Sequence, residues 1–282
     1  MFMDEVVMFM GDNDKAELAS TGIACLRNVV QSGRWGLLTD IDGTLASIAP
    51  SPAEAFVDAV IQRLLGQLAR RLPLVAALTG RPAVEARAMV AVERVVYVGN
   101  HGFERYVAGE LRIHPEALAW QPKIARLLES MAVDLAEVEG LSYENKGVTA
   151  SVHYRRAPDP VAARSRILAH IAASVYARGL SVTEGKMVIE IRPPLAVNKG
   201  TAALSLIEEY ELEGALYIGD DLTDLDAFRV LRSWREARKG TACIVAVAGE
   251  EAPPILLVNA DLVLDGVAGV RRLLEWLSQR PA

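Results

Sequence analysis

Cysteine, surplus basic charge and long apolar runs are all scarce in this chain, and each scarcity excludes something. There are two cysteines in 282 residues, Cys25 and Cys243. They lie far apart in sequence and show no metal-ligand spacing. A disulfide framework and a cysteine-rich metal module are therefore excluded, and both side chains are expected to act as small buried apolar groups. The 30 Lys and Arg are outnumbered by 36 Asp and Glu, a formal net charge of −6. Non-specific nucleic-acid binders carry the opposite balance, so no nucleic-acid partner is expected. An anionic substrate would have to be met by locally placed positive charge. No run approaches the ~20 apolar residues of a membrane span, so no membrane partner is expected either. Asp4 and Glu5 stand where a secretory leader would be basic, and the apolar stretch Val6–Met10 is too short for a leader core. A soluble cytoplasmic protein is expected. Internal repeats and low-complexity tracts are absent.

The apolar content is ample, at 51% of the chain, and the length suits one large domain or a core with an insertion. The most informative stretch is Gly36-Leu37-Leu38-Thr39-Asp40-Ile41-Asp42-Gly43-Thr44-Leu45. A short apolar run closed by turn residues reads as a buried strand. Asp40 and Asp42, spaced i, i+2, point the same way in an extended segment, and Gly43 frees the backbone to turn. Two adjacent carboxylates repel, so one tends to keep its proton while the other ionises. That suits a nucleophile beside a general acid.

Further strand ends carry polar groups in the same way. After the acid pair, Ser51-Pro52-Ala53-Glu54 reads as a capping box. A helix with Val57, Val60, Ile61, Leu64, Leu65 and Leu68 on its apolar face should follow. The run Leu74–Leu78 ends in Thr79-Gly80-Arg81-Pro82, which exposes a hydroxyl and backbone N–H groups. Val95–Val98 ends in Gly99-Asn100-His101-Gly102. The alternation of strand and helix predicts a doubly wound, Rossmann-like α/β core. Ligands of such cores bind beyond the carboxyl ends of the strands.

From about Ala117 the pattern changes. A helix with Leu127, Leu128, Met131 and Leu135 precedes two strands, the second being the alternating Val148–Tyr154. Asp159-Pro160 opens another helix, with Ile167, Leu168, Ile171 and Val175 inward and Gly179 as its stop. Two more strands follow, through Leu180–Thr183 and Lys186–Arg192. This predicts an inserted α+β unit of order αββαββ. Alternation puts Met187, Ile189 and Ile191 on its helices and Lys186, Glu190 and Arg192 on the opposite face, where Thr149, Ser151 and His153 also fall. Such a mixed polar face suits a sugar. The predicted division is an N-terminal extension over 1–34, a core over 35–116 and 195–282, and an inserted unit over 117–194.

Beyond Pro193-Pro194, Asn198-Lys199-Gly200 opens a helix whose leading lysine is misplaced for the helix dipole, a hint of another task. A strand through Ala215–Ile218 then ends in Gly219-Asp220-Asp221-Leu222-Thr223-Asp224-Leu225-Asp226. Four acids in seven positions exceed what a helix cap needs. Cys243–Val247 and Leu262–Leu264 read as final strands, and Val267–Leu277 as a closing amphipathic helix.

Asp40-Ile41-Asp42-Gly43-Thr44, Thr79, Lys199 and Gly219-Asp220-Asp221 with Asp224 come in the order of the four motifs of the haloacid-dehalogenase-like phosphatases. Within that superfamily the chain resembles the trehalose-6-phosphate phosphatases, through Thr79-Gly80-Arg81, Gly99–Glu104, Glu144-Asn145-Lys146, Val152–Arg155, Lys186–Pro193 and Asn198-Lys199-Gly200. The likeness covers about residues 35–265. Thr79 stands where serine is common, Ile41 where tyrosine is, Asn100 where serine is, and Leu225 where an acid is.

The resemblance implies hydrolysis of trehalose 6-phosphate through an aspartyl phosphate, with Asp40 as nucleophile and Asp42 as acid and base. Mg²⁺ would be held by Asp40, Asp42 (through its carbonyl) and Asp220, with Asp221 and Asp224 orienting the site. Lys199 and Thr79 would hold the phosphoryl oxygens. Gly80, Arg81, His101, Gly102, Glu104, Glu144, Lys146, His153, Lys186, Glu190 and Arg192 would contact substrate. The partner is thus a small-molecule sugar phosphate, and a monomer is expected, with a weak dimer as the alternative. The core motifs leave open another glycosyl phosphate, for instance glucosylglycerol phosphate, and a catalytically inactive sugar-phosphate sensor. A signalling receiver needs a long-lived phosphoaspartate, and Asp42 and the insertion argue against one.

Overall fold

The computed structural model describes residues 12–49, 54–249 and 252–280, with side chains from Thr21 onward. The chain divides into two compact units, one formed by 1–112 with 197–282 and the other by 113–196. In the first unit the chain runs through α1 (Asp12–Gln31), β1 (Trp35–Thr39), α2 (Ala59–Ala69), β2 (Leu74–Leu78), α3 (Ala83–Val90), β3 (Val96–Gly99), β4 (Glu104–Val107) and β5 (Glu110–Ile113). The second unit follows with α4 (Pro115–Leu118), α5 (Gln121–Asp134), β6 (Ser142–Asn145), β7 (Ala150–His153), α6 (Pro160–Ala173), β8 (Ser181–Gly185) and β9 (Val188–Arg192). The first unit resumes with α7 (Lys199–Glu209), β10 (Gly214–Gly219), α8 (Leu225–Glu236), β11 (Thr241–Ala248), α9 (Pro254–Leu257), β12 (Leu262–Asp265) and α10 (Gly266–Ser278).

The large sheet has eight strands in the order β12-β11-β10-β1-β2-β3-β4-β5. From β12 to β3 all neighbours are parallel, and β4 joins β3 antiparallel. Parallel strands buried on both faces read as continuous apolar runs, which is why β1, β2 and β10 are buried along their whole length. Alternation deals their side chains to two cores. Leu37, Val75, Leu216, Cys243 and Val245 pack with residues of α1, α2, α3 and α10. Leu38, Ala76, Tyr217 and Ile244 pack with residues of α7 and α8. Helices on both faces make the unit a doubly wound α/β fold. Strand order reverses around β1, between β2 on one side and β10 on the other, and the carboxyl ends of these strands form the switch point.

Several expectations are corrected. The capping box at Ser51–Ala53 lies outside the described residues. The helix that was to follow it begins at Ala59, capped by Asp58, whose carboxylate accepts from the Val60 N–H at 2.7 Å. Val57 is buried ahead of the helix rather than within it. Residues of the predicted N-terminal extension join the core through α1, which buries Leu26 and Val29. The antiparallel pair β4–β5 was not anticipated. Its turn, Ala108-Gly109, holds both residues at positive φ but lacks the Asn or Asp that usually marks one.

The second unit is a four-stranded sheet of order β6-β7-β9-β8, antiparallel throughout. Ile189, Ile191, Ala150 and Val152 pack with Ile124, Leu127, Met131, Ile167 and Ile171 of α5 and α6. Asp159 caps α6 through the Val161 and Ala162 N–H groups, with Pro160 first in the helix. Val175 is exposed, because α6 stops at Ala173 and a 3₁₀ turn re-aims the chain. Met187 is also exposed. It sits at φ 60° in the turn between β8 and β9, and Lys186 shares that turn rather than the strand face.

Candidate active site

Four loops meet at the carboxyl ends of β1, β2, β3 and β10. Asp40 follows β1 and is tied to the neighbouring strand by its N–H, which donates to Ile218 O at 2.8 Å. Gly43 then takes φ 82°. A Cβ there would lie 2.1 Å from Asp220 Oδ2, so the Asp220 carboxylate rests directly on the turn. Thr44, whose role the sequence did not signal, donates its hydroxyl to Asp220 Oδ1 at 3.2 Å. The strand end and the acidic loop after β10 are thus locked together through Gly43 and Thr44.

Lys199 is the hub of the buried charge. It opens α7, with Asn198 as N-cap in a reciprocal capping box with Thr201. Its ammonium donates to Asp40 Oδ1 and to Asp224 Oδ1, each at 2.8 Å, with all three side chains almost wholly buried. Asp224 is saturated. Its Oδ1 also accepts from the Tyr217 hydroxyl at 2.8 Å, and its Oδ2 from the N–H groups of Asp220 and Asp221 at 3.1 and 3.0 Å. Tyr217 was missed in sequence, where it reads as one more apolar residue of a buried strand. Leu225, where an acid is common, is buried in the apolar layer with Phe228 and Leu231.

Burial pushes the Asp40 carboxyl well above the ordinary carboxylate range; Lys199 acts against this, while Asp224 and Asp220 add to it. Burial also opposes the charge on Lys199, but Asp224 and Asp40 outweigh it and raise the lysine above its usual value. Tyr217 is pushed well up by burial and then by Asp224 and Asp40. The lysine therefore stays an ammonium, fixed between two carboxylates.

Asp42 has a different partner. Arg81 Nε and Nη2 donate to its two carboxylate oxygens, both at 2.7 Å, in a forked charge-assisted pair. Thr79 is buried, and its hydroxyl oxygen accepts from the Arg81 N–H at 3.2 Å. The next loop is fastened to this one, as Asn100 N–H donates to Arg81 O and His101 N–H to Thr79 O. Asn100, His101 and Gly102 occupy positive φ in succession, at 49°, 58° and 118°. Asn and His tolerate that region better than most residues. At Gly102 a Cβ would meet Val197 at 2.9 Å. The His101 ring packs over Gly80, whose added Cβ would stand 2.6 Å from Nε2. Glu104, expected to contact substrate, is buried, and its carboxylate accepts from the first N–H of α3, Ala83, at 2.8 Å.

The second unit gathers its own polar cluster on one sheet face. Across β6, β7 and β9 the register sets Glu144 beside Ser151 and Ser151 beside Glu190. Ser151 donates to Glu190 Oε1 at 2.8 Å. Lys146 lies 3.5 Å from that oxygen and 3.7 Å from Glu144 Oε2, and His153 Nε2 lies 3.1 Å from the latter. Arg192 is on the same face, two residues beyond Glu190. Lys186 lies in the turn between β8 and β9.

The acids of the first unit fit a hard cation. Asp40, Asp220 and Asp224 can each offer an oxygen within 4.8 Å of the others, all buried. An all-carboxylate set of this kind suits Mg²⁺ rather than a metal that prefers sulfur or nitrogen. Asp224 already serves four donors, which points to Asp40 and Asp220 as the ligating carboxylates.

A trehalose-phosphatase family model matches residues 38–252, most of the chain and all of the loops just described. The chain belongs to the trehalose-phosphatase family. It is 33% identical over 242 residues to a trehalose-phosphate phosphatase of Mycobacterium avium, covering 82% of this chain and 60% of that protein. It is 30% identical over 267 residues to trehalose-phosphate phosphatase B of Arabidopsis thaliana, covering 89% of this chain and 68% of that one. The chain thus spans about 60% of the length of the mycobacterial relative. The C-terminal domain of C. albicans trehalose-6-phosphate phosphatase superposes with a TM-score of 0.75 at 25% identity, covering 93% of this chain and 98% of that domain. Among the described residues no helix is long and apolar enough to cross a membrane.

Proposed function

We propose that this member of the trehalose-phosphatase family hydrolyses trehalose 6-phosphate to trehalose and phosphate. The observation that carries the reading is Lys199, held at 2.8 Å from both Asp40 and Asp224 beside Asp220; it supports the reading because an anionic phosphoryl group can approach a carboxylate nucleophile only where positive charge is at hand. Asp40 attacks phosphorus in line and becomes an aspartyl phosphate. Lys199 and the Thr79 hydroxyl hold phosphoryl oxygens. Asp42 protonates the leaving sugar oxygen, a poor leaving group as alkoxide, and then takes a proton from the water that hydrolyses the acyl phosphate. Arg81 must release Asp42 for either transfer, so its fork orients Asp42 before substrate arrives. Mg²⁺, held by Asp40, Asp220 and the Asp42 carbonyl, would supply charge neutralisation at the phosphoryl group. Asp221 and Asp224 orient the site.

The names of the relatives and the polar face of the inserted unit support the disaccharide as substrate. Glu144, Lys146, His153 and Glu190, with Arg192, Lys186 and the core residues Gly80, Arg81, His101 and Gly102, are the residues we assign to substrate contact. Glu104 we assign to holding α3 instead. A charged phosphate ester does not cross a bilayer unaided, which favours a cytoplasmic enzyme acting where the ester is made. The test is phosphate release with Mg²⁺ across a panel containing trehalose 6-phosphate, glucose 6-phosphate and glucosylglycerol phosphate. Preference for the first is expected. Preference for another ester would replace the substrate, and release from none would overturn the reading.

A further inference from the structure

The two cysteines, remote in sequence, meet in the fold. Cys25 Sγ, Cys243 Sγ and an Asp261 carboxylate oxygen lie within 4.8 Å of one another. Cys243 is the third residue of β11 and belongs to the apolar layer that also holds Leu26 and Val29 of α1, with Cys25 packed against that layer. Both are free thiols, Cys25 half-buried and Cys243 buried. The Cys25 thiol donates to Ala242 O at 3.0 Å and lies 3.6 Å from Asp261 Oδ2. Arg235 Nη1 reaches Cys25 Sγ at 3.3 Å. That guanidinium is fixed by a forked pair with Asp261, at 2.8 and 3.1 Å, and by Ala242 O at 2.9 Å.

The arrangement does not suit a metal. Arg235 already engages both oxygens of Asp261, and its charge would oppose a cation at the same spot. It does suit thiol oxidation: a partly accessible thiol beside a fixed guanidinium, with a second thiol in reach, is the environment of a reactive cysteine with a resolving partner. We propose that Cys25 and Cys243 form a peroxide-oxidisable dithiol, whose disulfide ties α1 to β11. The Cys25 thiolate attacks one oxygen of a hydroperoxide, giving a sulfenic acid and, after protonation, an alcohol or water. The Cys243 sulfur then attacks Cys25 Sγ, forming the S–S bond and expelling the sulfenic oxygen as water. Two thiols lose two electrons in all, and the peroxide is reduced by the same two. The contact with Cys243 holds Cys25 below the ordinary thiol value against burial and the Asp261 carboxylate, Arg235 helping, while the same contact and burial push Cys243 well above it. Cys25, the lower and more accessible thiol, is thus the one that meets peroxide first, and Cys243 resolves because it lies within reach.

Cys243 pairs with Leu216, towards the amino end of the parallel strands, whereas the candidate catalytic acids follow their carboxyl ends. The bond should therefore change stability and leave phosphatase rate alone. The test treats the reduced full chain with hydrogen peroxide at low excess. We expect the intact mass to fall by two hydrogens, a peptide joining Cys25 to Cys243, and a rise in Tm of about 5–10 °C that a dithiol reverses. Any phosphate release should stay within about twofold. Cys243→Ala should leave Cys25 as a sulfenic acid trapped by dimedone, with Tm no longer responding to peroxide. Should that variant fail to fold, Cys25→Ser, at the half-buried position, must abolish both the mass change and the Tm rise. A disulfide between two molecules, over-oxidised Cys25 beside an alkylatable Cys243, or a Tm rise that survives either variant would overturn the proposal. Mass and Tm are read without substrate, so failure here is distinct from failure of the phosphatase reading.

Discussion

Replacing Asp224 by asparagine keeps the shape of the side chain and changes its chemistry at the most connected point of the site. The carboxylate accepts four hydrogen bonds, two on each oxygen: Lys199 and Tyr217 on Oδ1, the N–H groups of Asp220 and Asp221 on Oδ2. An amide has one oxygen. If that oxygen faces Lys199 and Tyr217, the new NH₂ confronts two backbone donors. If the amide flips, it confronts the ammonium and the phenol. Either way two donors in a fully buried place lose their acceptor. At about 1–3 kcal/mol per buried donor left unsatisfied, the cost comes to roughly 2–6 kcal/mol. For a chain of this size that lowers Tm by about 10 °C.

The functional cost follows from the same bonds. Lys199 keeps Asp40 as its only carboxylate among the hydrogen-bond partners described above, and the Asp220–Asp221 backbone loses its anchor. On the proposed reading, in which Lys199 holds phosphoryl oxygens, its displacement should lower kcat by about 10²–10³ fold. Thermal melts and steady-state phosphate release on the same preparation measure both quantities. A Tm within about 2 °C of the parent, or an unchanged kcat with a lowered Tm, would refute the first or the second half of this reasoning.

Three further outcomes are expected. Gly43→Ala forces a side chain onto φ 82° and into the Asp220 carboxylate; beyond the ~1 kcal/mol of backbone strain, it should lower divalent-cation affinity measured by calorimetry, and unchanged affinity would remove Asp220 from the ligand set. Glu190→Ala takes away the acceptor of Ser151 and a neighbour of Lys146; it should impair trehalose 6-phosphate hydrolysis at least about tenfold more than hydrolysis of a small aryl phosphate, a difference of roughly 1.4 kcal/mol, and equal loss on both would contradict a recognition role. The Tyr97 hydroxyl is buried between the Val92 N–H and C=O, and burial pushes it up to about 12 from 10. A raised folded value gives stability that is complete below pH 10 and is lost as pH climbs to 12, so Tyr97→Phe should flatten that alkaline loss by about 2–3 kcal/mol in denaturant melts; an unaltered slope would show that Tyr97 is not protected.

The core was legible because β1, β2, β3 and β10 each end where an apolar run ends, and each of these endings carries a distinctive polar group. Asp40, Thr79, Asn100 and Asp220 could be placed on one sheet edge from strand–helix alternation alone. The hairpin β4–β5 was not legible, since Ala108-Gly109 hides a left-handed residue behind an alanine. The start of α2 was misread because Val57 fits the helical period while the chain is still extended, and Asp58 is the true cap. Alternation misplaced Lys186 and Met187 because a two-residue turn interrupts the strand they extend. Tyr217 and the meeting of Cys25 with Cys243 depend on which strand neighbours which helix. That information belongs to the tertiary arrangement and has no local signature.

The paired acids show most clearly what tertiary structure adds. In sequence, Asp40 and Asp42 stand two residues apart, and their separation of roles had to rest on mutual repulsion. In the fold each carboxylate has its own cation from a different loop: Lys199 at the start of α7 for Asp40, and Arg81 beyond β2 for Asp42. The two pairs differ in burial as well. Asp40 and Lys199 are almost wholly enclosed, whereas Asp42 keeps 37% of its side-chain surface exposed. An enclosed carboxylate is poorly solvated and therefore a stronger nucleophile once its position is fixed. A partly exposed one can exchange protons with water and with a departing sugar oxygen. On the proposed reading, the division of labour between Asp40 and Asp42 would follow from where two cations are anchored and how far each pair is screened from solvent, and motifs scattered over most of the chain converge on one sheet edge to provide both.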